Sequence, residues 1–363
     1  MQIDFVELDR FRNLAPATVE LGPGVIRVVG PNGHGKSNLL EAVHVLAQGW
    51  SPRARRGAEW IAWGEEGLLI RAEGVANDGA PRRSAVQLES RGAQRRVRLD
   101  GRESAGFSLL LGAWPLVSFG PGDVELVQGE PEARRTWMDA TISQYSAEGR
   151  DRLRRYRRAL RQRNGYLKGF VAPDPELKAA LDAELCAEGA EVVRLRRGFL
   201  RALAPVVRRL YAAVSRGAEE ADLVYRCSWG EEEGADAFAA KLDSLARRES
   251  EAGATLVGPH RDDLEILLSG HPARSTASRG QQRSLTLALQ LACAEFLEEL
   301  FGEPPILLLD DIFSELDAAR RAAVGELLRR SGQVILAAPE LSDIPFDADK
   351  TYRVESGRLT EVK

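Results

Sequence analysis

Two stretches of this sequence combine residue types and spacings suited to phosphate chemistry. The first is Gly30-Pro31-Asn32-Gly33-His34-Gly35-Lys36-Ser37, which fits the pattern G-x-x-x-x-G-K-[ST]. Gly30, Gly33 and Gly35 let the backbone curl so that successive N–H groups point inward at phosphate oxygens. Lys36 is placed to neutralise β/γ-phosphate charge, and Ser37 to offer its hydroxyl to Mg²⁺. Asn32 and Asn38 belong to the same nucleotide-binding set, while His34 occupies a freely variable position of the pattern, suited to packing or solvent more than to catalysis. The second stretch is Asp310-Asp311, two carboxylates at the tip of an apolar run. Asp310 is positioned to hold Mg²⁺ through water, and Asp311 to orient or deprotonate an attacking water. Asp reaches one methylene less far than Glu, which predicts slow ATP turnover.

The elements that must carry these residues can be read from periodicity. Val25–Val29 is a short β-branched run that breaks at Gly30, after which Leu39, Leu40, Val43 and Leu46 recur at helical spacing. The phosphate loop therefore stands between a strand and a helix, with the helix dipole behind it. Downstream, Ile306–Leu309 reads as a buried strand, Leu316–Leu328 as a helix and Val334–Ala337 as a strand, an alternation that predicts a parallel α/β sheet. Residues 71–103 read as a β-meander with turn signals at Asn77-Asp78-Gly79 and Asp100-Gly101. From about 131 to 250 the chain turns to Ala, Arg, Glu and Leu at spacings of three and four, which predicts helical hairpins interrupted at Val171-Ala172-Pro173-Asp174-Pro175, with Pro205 as a candidate kink. The expected organisation is an ATPase head built from 1–130 and 251–363, with a helical insertion domain at 131–250.

Ser278-Arg279-Gly280-Gln281-Gln282 opens another helical pattern and looks like the signature of ABC-type ATPases. Its chemistry is that of a helix N-terminus, with the Ser278 hydroxyl and free N–H groups near Gly280 and Gln281 aimed at a γ-phosphate. In ABC ATPases that phosphate belongs to ATP on the opposite subunit, so the motifs imply a homodimer that forms with ATP. Ser314-Glu315-Leu316-Asp317 has the spacing of the D-loop, where Asp317 is equally well read as a helix N-cap. Phe11-Arg12-Asn13, the run from Gly30 to Ala42, Phe119-Gly120-Pro121 with Arg134-Arg135, Gln162-Arg163-Asn164, Gly258-Pro259-His260-Arg261-Asp262-Asp263 and Ser278–Arg283 together resemble the RecF family over nearly the entire chain.

The resemblance implies an ABC-type, SMC/Rad50-like head without a long coiled coil. It further implies ATP-dependent dimerisation on double-stranded and gapped DNA, and cooperation with RecR and RecO in placing RecA. By the same resemblance Arg12 and Asn13 lie near the ribose and phosphates. One departure is that Ala337-Ala338 stands where ABC ATPases carry a switch histidine, which favours a slow switch. His260 and Arg261 either contact phosphate or brace a turn begun by Gly258-Pro259.

Composition narrows the remaining classes. Three cysteines without a C-x-x-C pair suggest neither a disulfide framework nor a zinc site, which points to a reduced, cytoplasmic protein and away from a zinc-hooked nuclease ATPase. No apolar run reaches the ~20 residues of a membrane span, and no membrane-domain contact of a transporter motor is recognisable. The N-terminal Met1–Phe5 reads as an edge strand. A net charge of −4 argues against coating nucleic acid by bulk charge, so distribution matters more. Arginines cluster from Arg150 to Arg163 and from Arg194 to Arg209, with Arg154, Arg157 and Arg158 as the DNA-binding candidates. Arg53, Arg55, Arg56, Arg82, Arg83, Arg95 and Arg96 form a second candidate surface.

Overall fold

The computed structural model describes residues 1–362 apart from Arg55, Asn77, 170–173, 216–218, Glu233, 314–320, 322–323, 326–327, 329–330 and 341–346. The chain forms two compact units, one of Met1–Asp123, Ala213–Arg216 and Leu287–Lys363, the other of Val124–Ala212 and Gly217–Thr286. In chain order the strands and helices are β1 (Gln2–Asp9), β2 (Ala17–Glu20), β3 (Gly24–Val29), α1 (Lys36–Gln48), β4 (Leu68–Val75), β5 (Pro81–Glu89), β6 (Gln94–Leu99), β7 (Arg102–Ser104) and β8 (Leu116–Phe119). They continue as α2 (Glu125–Gln128), α3 (Pro131–Tyr145), α4 (Ala147–Leu167), α5 (Pro175–Ser215), β9 (Ala221–Arg226), α6 (Ala235–Ala252), β10 (Asp263–Leu268), β11 (His271–Pro272) and α7 (Ala273–Thr276). Last come α8 (Arg279–Phe301), β12 (Ile306–Asp310), β13 (Gln333–Ala338), β14 (Lys350–Glu355) and β15 (Arg358–Glu361). Among the described residues no helix is long and apolar enough to cross a membrane.

The first unit holds two six-stranded sheets. One has the order β15-β14-β3-β13-β12-β8 and is parallel except for β15, as the strand–helix alternation in the sequence predicts. The other, β2-β1-β4-β5-β6-β7, is antiparallel and contains the expected meander. Its inward positions alternate, Leu68, Ile70 and Ala72 on β4 facing the core with Val86 and Leu88 on β5. Asp100 and Gly101 both take positive φ (48° and 80°), which closes the β6–β7 hairpin. The N-terminal strand differs from its edge-strand expectation: β1 pairs with β2 on one side and β4 on the other. Nothing in Gln2–Asp9 betrays an interior position, because its second neighbour, β4, lies about sixty residues on in the sequence.

Helix α1 packs against β4 and β5 of one sheet and β8, β12 and β13 of the other. Eleven of its thirteen residues are buried, which is why its apolar residues run nearly all round the helix. Glu41, His44 and Gln48 are buried with them.

The second unit holds α2 to α4, most of α5, α6, α7 and the small sheet β11-β10-β9, against which α3 and α7 pack. Pro175 opens α5, where its missing N–H costs nothing, and the Asp174 carboxylate accepts the N–H groups of Glu176 (2.9 Å) and Leu177 (3.2 Å). The same helix continues through Pro205, so the Arg201 carbonyl loses its intrahelical partner there. At 41 residues α5 is the longest described helix. The helix read at 316–328 is described only at Arg321, Val324, Gly325 and Leu328, all helical, and Ser314–Asp317 lie outside the described residues.

Candidate nucleotide site

β3 ends at Val29 in the middle of the parallel sheet, and the chain turns through Gly30–Gly35 into α1. Gly30, Gly33 and Gly35 have φ of 148°, 81° and 121°, values an L side chain resists. A Cβ at Gly30 would collide with the Val354 carbonyl, and one at Gly35 would sit 2.7 Å from Leu14, so these glycines are needed for space as well as for curvature.

The Lys36 side chain folds back into the curl and donates from Nζ to the carbonyls of Gly30 (2.6 Å) and Pro31 (3.0 Å) and to Oδ1 of Asn32 (3.3 Å). Burial holds its pKa below the ordinary lysine value, against the upward pull of Asp310 and Asp311. Ser37 donates from Oγ to Oδ1 of Asp310 at 2.9 Å, across the step from α1 to the tip of β12. Burial raises the Asp310 pKa, and the Ser37 hydrogen bond only partly offsets it. A hydroxyl and a carboxylate side by side, short of positive charge, fit a hard cation that keeps most of its waters. Asp311 follows with φ of 52°, its N–H donating to the Ala337 carbonyl at 3.0 Å, so the Ala337-Ala338 segment touches the acidic pair through backbone.

The flank of the loop is built by Asn13, whose Nδ2 donates to the Gly33 carbonyl (3.1 Å) while its Oδ1 accepts from Asn38 (2.7 Å). Arg12 is placed differently from Asn13. Its guanidinium forks onto the buried Glu41 carboxylate (Nη2 2.6 Å, Nε 3.1 Å), which also accepts the Ser51 hydroxyl at 2.6 Å. Arg53 donates to Asn38 at 2.7 Å, which puts one member of the second arginine surface at a pocket beside the phosphate loop. That pocket, about 450 Å³, is lined by Ser37, Glu41, Arg53, Asp123 and Asp310 among others. Asp123 accepts from the Gly120 N–H (2.9 Å) and Gln290 (3.3 Å), and desolvation pushes its pKa up to about 6. Glu41 and Asp123 carry no role in the sequence-based expectations, and Arg53 appears there only as part of an arginine surface. The Phe119-Gly120-Pro121 run two residues upstream was the available signal for Asp123.

Ser278 caps α8 in the second unit. Its N–H donates to Oε1 of Gln281 (2.6 Å) and its Oγ accepts the Gln281 N–H (3.3 Å), a reciprocal capping box. Gln281 also donates to Glu219 at 2.5 Å; Ser278 is exposed at the start of the helix, with Gly280 and Gln281 half-buried.

The Gly258–Asp263 run is a fastener. Gly258 (φ 132°) leaves room for Tyr156 and Phe238, and the Pro259 carbonyl accepts from Arg196 at 2.7 Å. His260 shares a hydrogen bond with the Tyr156 hydroxyl (2.7 Å) and meets the Thr255 carbonyl (3.0 Å); burial lowers its pKa to about 4. Asp262, wholly buried, accepts from Tyr225 (2.6 Å) and the Ser228 N–H (2.7 Å), and Asp263 pairs with Arg134 at 2.7 Å. Of the two readings left open for His260, bracing a turn is the one its contacts describe.

Among the clustered arginines, Arg163 and Arg196 are interior. Arg163 binds Asp182, Glu249 and Thr255, and Arg196 binds Asp139 and Tyr225. Arg154, Arg157 and Arg158 are exposed on α4, Arg154 paired with Asp151 (3.1 Å) and Arg157 with Asp139 (3.0 Å).

Comparison with known proteins adds four findings. A family model described as an AAA domain matches residues 6–158. "DNA replication and repair protein RecF" of Symbiobacterium thermophilum is 37% identical, the alignment covering 99% of this chain and 98% of the relative. The solved structure of "the recombination mediator protein RecF-ATP in RecFOR pathway" superposes with a TM-score of 0.93 at 28% identity, over 99% of this chain and 97% of that one. An SMC head bound to the C-winged helix domain of ScpA, 18% identical with a TM-score of 0.61 over 100% and 97% of the two chains, shares the fold. The architecture is that of an ABC-type, SMC-like ATPase head.

Proposed function

The chain belongs to the RecF family of DNA replication and repair proteins, and on that premise we propose that it is an ATP-gated DNA clamp. Two copies close on double-stranded DNA through two ATP molecules at their interface, and hydrolysis opens them. Its place is at single-stranded gaps, where with RecR and RecO it assists the loading of RecA.

The observation that supports this reading most is the state of the phosphate loop. Lys36 is buried on carbonyl and amide dipoles of its own loop, and Ser37 is spent on Asp310. A phosphate offers Lys36 an opposite charge where its own loop offers only dipoles. Mg²⁺, held by Ser37 and Asp310, would neutralise the charge on the β- and γ-phosphates. Asp311 orients or deprotonates the attacking water, and its short side chain makes this ATPase slow. Ser278 and the first N–H groups of α8 meet the γ-phosphate bound to the second copy. Because each ATP is contacted from both copies, it favours the closed pair, and loss of the γ-phosphate removes that preference.

On the DNA side, Arg154, Arg157 and Arg158 project from one face of α4, and the Arg154–Asp151 pair is a surface ion pair of little net strength that a phosphate can displace. Fluorescence anisotropy on gapped duplex, intact duplex and single strand, with and without Mg-ATP, tests the proposal. Wild type should bind duplex only with ATP, and Lys36→Met and Ser278→Arg should both lose that binding; binding indifferent to ATP or to both substitutions refutes the clamp. Charge reversal at the three arginines should flatten the salt dependence by about 0.9 in log–log slope per lost phosphate contact.

A further inference from the structure

The phosphate loop is gripped from outside by a hairpin that the loop motif does not call for. β14 and β15 are joined through Ser356 and Gly357, with φ of 48° and 80°. The Ser356 N–H donates to Nδ1 of His34 at 3.2 Å, and the Gly357 N–H donates to the His34 carbonyl at 3.0 Å. On the turn's other face the Gly357 carbonyl accepts the Ala15 N–H at 2.9 Å, and a Cβ at Gly357 would collide with the Asn13 carbonyl. Gly30 is packed under the Val354 carbonyl, and Gly35 between Leu14 and Val354. The loop thus sits in a clasp, with Asn13–Ala15 as one jaw and Val354–Gly357 as the other. The hairpin does not need His34 to stay in the sheet, since β14 already pairs with β3 and β15.

We infer that His34 is a positioning residue for ATP, and that the Ser356–Gly357 turn is a working part of the nucleotide site. Resting on the reading of Gly30–Ser37 as an ATP-binding loop, the inference concerns what keeps that loop curled. Any residue at position 34 supplies the carbonyl. Reaching the Ser356 N–H takes an acceptor at the δ position of the side chain, which His34 supplies with Nδ1. The two bonds hold the loop in the form in which its N–H groups converge, so that less ordering remains to be done when phosphate arrives. Linkage is reciprocal: if the turn steadies the loop for ATP, ATP steadies the turn.

The test uses the full chain with Mg-ATP. Calorimetric affinity is measured for wild type, His34→Ala and His34→Asn, whose Oδ1 lies at nearly the same place as Nδ1. Hydrogen exchange of the Ser356 and Gly357 amides is followed with and without ATP. His34→Ala should weaken ATP about five-fold, the effect of one lost hydrogen bond, with unchanged Tm, and His34→Asn should recover most of it. ATP should slow exchange at the turn in wild type and His34→Asn but far less in His34→Ala. Equal affinity in wild type and His34→Ala, or exchange at the turn indifferent to ATP, overturns the inference alone. A wild type that binds no ATP overturns the underlying reading as well.

Discussion

Each unit of the molecule buries a cation, and the two are treated in opposite ways. Arg163 in the second unit is 1% exposed and meets two carboxylates and a hydroxyl, Asp182 at 2.6 Å, Glu249 at 2.7 Å and Thr255 at 2.9 Å. Lys36 in the first is 6% exposed and meets only dipoles of its own loop. The carboxylates of the first unit, Asp310 and Asp311, act on Lys36 at a distance, and burial outweighs them. A buried charge matched by opposite charges is complete as structure, whereas one left on dipoles still has an opposite charge to gain. The same contrast separates Asp263, forked by Arg134, from Asp310, which has a serine hydroxyl.

The contrast can be broken at its strongest point by replacing each cation with methionine. Arg163→Met strands the wholly buried Glu249 carboxylate and should cost about 3–5 kcal/mol by chemical denaturation. Lys36→Met should change stability by less than about 1 kcal/mol, since it removes a charge that burial already disfavours, while abolishing ATP binding. Equal losses of stability would erase the distinction. Asp311→Asn should leave ATP bound and slow hydrolysis by about 10²-fold or more, followed by release of phosphate; brisk hydrolysis would remove Asp311 from its role.

The smallest effect belongs to Asp123. Its folded pKa, pushed up to about 6 from 3.8, means that the folded chain holds this proton through a range in which the unfolded chain has lost it. Stability contributed by the site is therefore present below about pH 4 and is lost as pH rises through about 6. Asp123→Asn should flatten this part of the pH–stability profile and gain about 1–2 kcal/mol at neutral pH, allowing for the part of the carboxyl that faces solvent. A profile unchanged by the substitution would mean that Asp123 is not the group titrating there.

What the sequence made legible is what its local chemistry dictates. The strand–loop–helix around Gly30–Ser37, the acidic tip of β12 and the capped start of α8 each depend on a few adjacent residues. The surroundings of Arg12 were not legible, because Glu41 and Ser51 reach it only after α1 is folded between two sheets. The arginine clusters read as candidate surface because charge alone carries no helical phase. Arg163 continues the inner stripe of Leu153, Tyr156 and Ala159, and Arg196 lies between Val192 and Phe199 on the stripe of α5, so helical periodicity held the signal that marks both as interior. The β1 position failed for a different reason, since edge and interior differ only in partners that sequence alone does not name.

The strand order of the parallel sheet also sets a timetable for synthesis. β3, which leads into the phosphate loop, is complete at Val29, yet its two neighbours in the sheet are Gln333–Ala338 and Lys350–Glu355. Until roughly 300 further residues have been made, the strand beneath the loop has no flanking partners and the clasp around His34 has only one jaw. Such long-range pairing slows folding. It also means that a half-made chain cannot complete the surroundings of Gly30–Ser37, which close only after the acidic strand β12 and the helix capped by Ser278 have been made.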